Sequence, residues 1–244
     1  MNITVWNENY HEKLEPHVLE VHPGGLHETV AGIIREMDGV TVRTATLDMP
    51  EAGLSQEVCD NTDVLLWWGH MAHDKVPDEV VERVWKRVMQ GMGLVVLHSG
   101  HHSKIFRKLM GTTCNLRWRD GAYERIFNVN PSHPIAKGIP MNFELGIDEC
   151  YAEFFDIPQP DEQVFEGWFD IGEVFRSGCC WRRGFGKIFY FQPGHETNRA
   201  FYNPYVRQII KNAVEWAAPS ARLDKLEAPE IRPTLEEIRA GKTE

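Results

Sequence analysis

No apolar run in the 244-residue sequence approaches the roughly 20 residues that span a bilayer. Its opening, Met1-Asn2-Ile3-Thr4-Val5-Trp6, reads as a first strand and lacks the basic and apolar regions of an export signal. The expectation is a cytoplasmic protein, neither secreted nor membrane-bound. Positive charge is also scarce: 26 Lys and Arg against 36 Asp and Glu leave a net charge of −10. That balance argues against a nucleic-acid partner, whose phosphates need clustered cations. The short runs Arg117-Trp118-Arg119 and Trp181-Arg182-Arg183 suit a sugar or a small anion equally well. Cysteine is sparse, with five residues at irregular spacing and no CxxC, so a disulfide framework is not expected and a reducing compartment fits. Glycine-rich phosphate cradles, an HExxH zinc helix, internal repeats and low-complexity tracts are all missing.

What is present is alternation of strand-like and helix-like segments. Val40–Leu47, Asp63–His70 and Gly93–His102 each carry a β-rich or apolar core, and the last two stop at glycine and histidine. Between them, Leu26–Met37 and Asp78–Val88 repeat apolar residues at helical spacing, as Tyr205–Ala217 does near the end. This order predicts an α/β fold with a doubly wound, mostly parallel sheet. After Gly111 the pattern changes to short β-like runs and polar turns, predicting a β-rich insertion or sheet extension over about 112–185. The prediction is therefore a single domain over 1–218 followed by a charged tail at 219–244, extended along the domain or a neighbouring subunit. A homo-oligomer is compatible with that tail.

Three of the eleven histidines, His98, His101 and His102, fall at the end of the central strand. In open α/β sheets the carboxyl ends of strands face the ligand. His70 and His195 likewise follow apolar runs, so one sheet edge would gather His70, His98 and His195. With Glu149, and Asp148 beside it, these make a divalent metal site, zinc above all, with an open position for catalysis. The same His98, His195 and Glu149 would also serve metal-free acid–base chemistry. Trp68, Trp118, Arg119, Tyr151, Glu173 and Arg176 supply aromatic faces and polar groups for a sugar substrate. Cys114, Cys179 and Cys180 are candidate nucleophiles, but none stands in a strand-to-helix elbow; at that place stand His98-Ser99-Gly100, which leaves Ser99 as the alternative.

Four separated motifs carry a resemblance: Leu66-Trp67-Trp68-Gly69-His70-Met71-Ala72-His73, Val95-Val96-Leu97-His98-Ser99-Gly100-His101, Asp148-Glu149-Cys150-Tyr151 and Phe191-Gln192-Pro193-Gly194-His195-Glu196. Together they resemble the ThuA family of trehalose-utilization proteins over about residues 1–218. The resemblance implies the flavodoxin-like, class I glutamine amidotransferase-like fold and a role in bacterial catabolism of trehalose or related disaccharides, beside a dehydrogenase that makes 3-keto sugars. Position by position it carries over His98, Glu149 and His195, and more weakly His27. It does not extend to the elbow cysteine of the amidotransferases. Two expectations follow: a metal-assisted enzyme acting on a disaccharide or 3-keto-glycoside, or a non-catalytic carbohydrate-binding or regulatory module on the same scaffold.

Overall fold

The structure, a computed structural model, describes residues 1–227 and 232–241. Its strands are β1 (Asn2–Asn7), β2 (Thr41–Thr46), β3 (Val64–Trp68), β4 (Gly93–Leu97), β5 (Arg117–Asn128), β6 (Asn142–Ala152), β7 (Glu162–Phe169), β8 (Val174–Arg183) and β9 (Gly186–Phe191). They form one nine-stranded sheet in the order β2-β1-β3-β4-β9-β8-β7-β5-β6. Helices α1 (Leu26–Ile34), α2 (Asp78–Met89), α3 (Lys104–Met110) and α4 (Pro204–Ala217) cover its two faces.

The period of two along a strand decides which residue enters which core. In β3, Leu65 and Trp67 join a core with residues of α2 and α3, whereas Val64, Leu66 and Trp68 join the opposite core with residues of α1 and α4. Every residue of β3 and β4 is buried, as expected of central strands covered on both faces. Helix α2 turns Val80, Val81, Val84 and Val88 inward, and its ends match the helix dipole, with Asp78 and Glu79 first and Lys86 and Arg87 last. Asn203 caps α4 by accepting from the amides of Tyr205 and Val206, with Pro204 in the first turn. Gly93 lets the end of α4 close on β4: a Cβ there would stand 2.3 Å from the Ala217 carbonyl.

The mostly parallel sheet expected from sequence needs correction. Strands β2, β1, β3, β4 and β9 run parallel, but β9-β8, β8-β7, β7-β5 and β5-β6 are antiparallel. The β-rich segment extends the same sheet and forms its antiparallel half. Strand β9 is the seam, because it pairs parallel with β4 on one edge and antiparallel with β8 on the other.

Beyond α4 the chain runs across the α2–β4 turn, where Leu223 donates its amide to the Gln90 carbonyl at 2.9 Å and Arg222 pairs with Asp63 at 2.9 Å. A single helical turn follows at Leu235–Arg239. Of the tail expected over 219–244, residues 228–231 and 242–244 lie outside the described residues.

Candidate active site

The loops leaving β1, β3, β4 and β9 bring histidines from distant parts of the chain together. Ring centroids of His70 and His98 are 6.5 Å apart, those of His70 and His195 5.8 Å, and those of His98 and His195 5.5 Å. Strand β6 adds Asp148, Glu149 and Tyr151 from the antiparallel half.

His98 occupies the turn from β4 into the following helical turn with φ of 50°, a left-handed conformation that costs a non-glycine residue free energy. Its Nδ1 donates to the Gln192 carbonyl at 2.7 Å, which fixes the tautomer and leaves Nε2 facing Glu149 Oε2 at 3.0 Å and the Tyr151 hydroxyl at 3.3 Å. Burial disfavours a charged ring here, but the Glu149 carboxylate outweighs it and raises the His98 pKa. Glu149 is affected reciprocally: burial raises its pKa, His98 lowers it, and the net direction is down. The two groups thus shift in opposite directions, each favouring the charged form of the other. His101, by contrast, is held neutral by burial, and its Nδ1 donates to the Cys114 carbonyl at 2.8 Å.

Asp148 organises the loop after β9. Its carboxylate accepts from the amides of Glu149 at 2.9 Å, Gly194 at 3.0 Å and His195 at 3.3 Å, and from the Asn198 side chain at 3.0 Å. The loop thereby fixed carries His195 and Glu196. His195 Nδ1 accepts from the Thr197 amide, so the proton of the neutral ring sits on Nε2, 3.6 Å from Glu196 Oε1. Burial lowers the His195 pKa. Glu196 is itself buried, yet its pKa is lowered: burial pushes it up, and His70, His195 and His11 push it further down.

A cleft of about 360 Å³ opens beside this cluster, lined by His70, Glu149, Tyr151 and His195 together with His73, Ser99, His101, His102, Asn115, Leu116, Trp118 and Asp120. Trp118 is 64% exposed at its rim. His98 has no exposed surface, so it acts on the cleft through Glu149. His27 lies in the first turn of α1, 3.4 Å from the Asn7 side chain, and is not among the lining residues.

Several expected ligands are engaged elsewhere. Trp68 is buried in the core on the α1 and α4 face, its Nε1 donating to the Gly194 carbonyl at 3.0 Å. Arg119 pairs with Asp170 at 3.0 Å and Glu173 at 3.3 Å, while its strand neighbours Trp118 and Asp120 line the cleft. Arg176 clasps Glu153 at 2.8 Å and the Phe155 carbonyl at 2.7 Å. None of the five buried cysteines lines the cleft, and burial pushes the thiols of Cys59, Cys114 and Cys150 up to about 11. Ser99 lines it without a hydrogen-bond partner for its hydroxyl, so no base activates it as a nucleophile.

The four expected metal ligands do not converge as one set. Among the described residues, two groups bring ligand atoms within 4.8 Å: His11, His70 and Glu196, and Asp120, Glu149 and His195. His11, Glu196 and Asp120 are not among the metal ligands expected from sequence. The available signal was the Glu8–His11 stretch at the end of the first strand, the same exit that marked the other histidines.

The family model described as trehalose utilisation, ThuA, matches residues 2–217. A ThuA-like protein from Parabacteroides merdae has a similar structure, with a TM-score of 0.66 at 17% identity, covering 92% of this chain and 92% of that chain. A second, from Bacteroides uniformis, gives 0.65 at 15% identity, covering 91% and 94%. PurLQS from Thermotoga maritima gives 0.56 at 11% identity, covering 88% and 98%. At these identities the likeness speaks for the fold, an α/β arrangement similar to amidotransferase-like proteins. No curated protein matches the sequence. Among the described residues no helix is long and apolar enough to cross a membrane.

Proposed function

Since this chain belongs to the trehalose-utilisation (ThuA) family, we propose that it is an enzyme of disaccharide catabolism that moves a proton on a sugar derivative, with Glu149 as the base. The observation that carries this reading is the 3.0 Å contact between Glu149 and the fully buried His98 at the floor of the cleft. A buried carboxylate normally drifts toward the protonated, inert form; the imidazolium beside it keeps this one ionised and facing the cleft. Tyr151 and His195 flank it and offer a hydroxyl and an imidazole N–H to an oxygen that gains charge as the proton leaves. Trp118 at the rim supplies an aromatic face for a pyranose ring.

A 3-keto-glycoside fits this chemistry best. The carbonyl acidifies the neighbouring C–H, so one carboxylate can take the proton while donors hold the enolate oxygen; return of a solvent-exchanged proton to the same carbon gives hydrogen exchange, and loss of a leaving group at the adjacent carbon gives elimination. The test is proton NMR of 3-keto-trehalose in deuterium oxide. Wild type should exchange the hydrogen beside the ketone or convert the sugar, with a loss on the order of 100-fold or more in Glu149→Gln. His98→Asn should lose a comparable factor, and Trp118→Ala should raise KM with little change in kcat. Calorimetric binding of the sugar with neither exchange nor conversion would assign the chain to the carbohydrate-binding class instead.

A further inference from the structure

We propose that His11, His70 and Glu196 form a site for one divalent transition-metal ion of the zinc class, in the crevice between the ends of β1 and β3. The topology puts the crevice where ligands are usually bound. From β1 the chain builds outward to β2 on one side and through β3 and β4 on the other, so the loops leaving β1 and β3 part company there. His11 lies on the first loop and His70 on the second, and Glu196 reaches them from the loop after β9.

The distances are those of ligands around an ion. His11 Nε2 stands 3.4 Å from Glu196 Oε1, and His70 Nδ1 stands 3.3 Å from Oε2. A charge-assisted hydrogen bond would be about 2.7–2.9 Å. The edge of a tetrahedron with metal–ligand bonds of about 2.0–2.1 Å is about 3.3 Å. Burial leaves these atoms without water to compensate. His11 and Glu196 are each 3% exposed, and both His70 Nδ1 and Glu196 Oε2 are buried without a hydrogen-bond partner.

An outer carboxylate stands behind the site. Glu8, also buried, lies 3.8 Å from His11 Nδ1 and accepts from the amides of Met71 and Ala72 at 2.9 and 3.0 Å, which ties the loop of His70 to the loop of His11. Two imidazoles and one carboxylate select zinc and its neighbours over magnesium or calcium, and three protein ligands leave a position open toward the cleft that His70 lines. Of the four ligands expected from sequence, His70 alone belongs to this set. The site is independent of proton transfer at Glu149.

The test is titration of chelator-stripped full-length protein with Zn²⁺ by calorimetry and with Co²⁺ by visible absorption. Wild type should take up one saturable equivalent with the intense cobalt bands of a tetrahedral site. His70→Ala, at the more exposed edge of the cluster, and Glu196→Gln should each weaken binding roughly 100-fold or more. His98→Asn and Glu149→Gln, which break the proposed proton-transfer pair, should bind within a few-fold of wild type. The proposal is overturned if wild type binds no saturable equivalent, or if the equivalent survives in His70→Ala and Glu196→Gln. Loss in His98→Asn with retention in Glu196→Gln would overturn it equally. Thermal melts establish that each variant is folded.

Discussion

Replacing Asp148 by Asn isolates what holds the loop of His195 and Glu196 in place. The buried carboxylate accepts from the amides of Glu149 and His195 and from Asn198 through Oδ1, and from the Gly194 amide through Oδ2. An asparagine whose oxygen keeps the first three partners must point its NH₂ at the Gly194 N–H, leaving a donor against a donor. One buried unsatisfied amide costs roughly 1–3 kcal/mol, and losing the charge on the other bonds adds about 1–2 kcal/mol. Burial keeps neighbouring Glu124 in its neutral form, with Asp148 a lesser cause, so relief of repulsion returns little. The expected loss is about 3 kcal/mol, which for a domain of this size lowers Tm by roughly 6–12 °C. Urea unfolding should show a lower midpoint at an unchanged slope, and cobalt affinity should fall as Glu196 loses its fixed position. A Tm within about 2 °C of wild type would refute the claim that this carboxylate holds the loop.

Two further perturbations probe burial. His22, packed on Phe201 and Tyr202 with Nδ1 at 3.0 Å from the Thr29 hydroxyl, is driven by burial from 6.5 down to about 4. A depressed histidine stabilises the fold above the unfolded pKa, and this contribution is lost as pH falls from about 6.5 toward 4, by roughly 3 kcal/mol at most. In that window His22→Gln should lose less stability than wild type in urea titrations, and parallel losses would refute the assignment. The five buried cysteines should resist a thiol-reactive disulfide at neutral pH in the native protein and react on denaturation. Rapid native labelling of Cys114 or Cys179 would reopen the nucleophile reading.

The parallel strands were legible because burial on both faces forces unbroken apolar runs, as in Val64–Trp68 and Gly93–Leu97. The same fact explains the misreading of Trp68. If one face of β3 met a ligand, one of its two tryptophans could serve the site, but both faces are packed, with Trp67 stacked on Trp6 at 3.9 Å and Trp68 in the opposite core. The antiparallel half was less legible, since which edge β9 offers to β8 is decided by residues far apart in the chain. Arg119 shows the cost at the site: the period of two sends it to Asp170 and Glu173, away from the cleft of Trp118 and Asp120. Histidines at strand exits announced the pocket. The meeting of His11 with Glu196 did not show, because 185 residues separate them and only the sheet order makes them neighbours.

His98 stands in the turn after β4 and meets Glu149 at 3.0 Å. His98, the residue after β4, has φ of 50°, a conformation of roughly 1–3 kcal/mol in unfavourable strain. The imidazole is drawn inward by the Gln192 carbonyl, so it sinks beneath the surface and meets Glu149 from below. Gln192 is held in turn, its amide donating to the Ser177 carbonyl at 2.9 Å and its side chain to the Glu149 carbonyl at 3.2 Å. Strand β9 and the antiparallel half therefore enforce the strained turn of the parallel half. The carboxylate that lines the cleft, Glu149, comes from β6, so the second half of the sheet is as necessary to this site as the first.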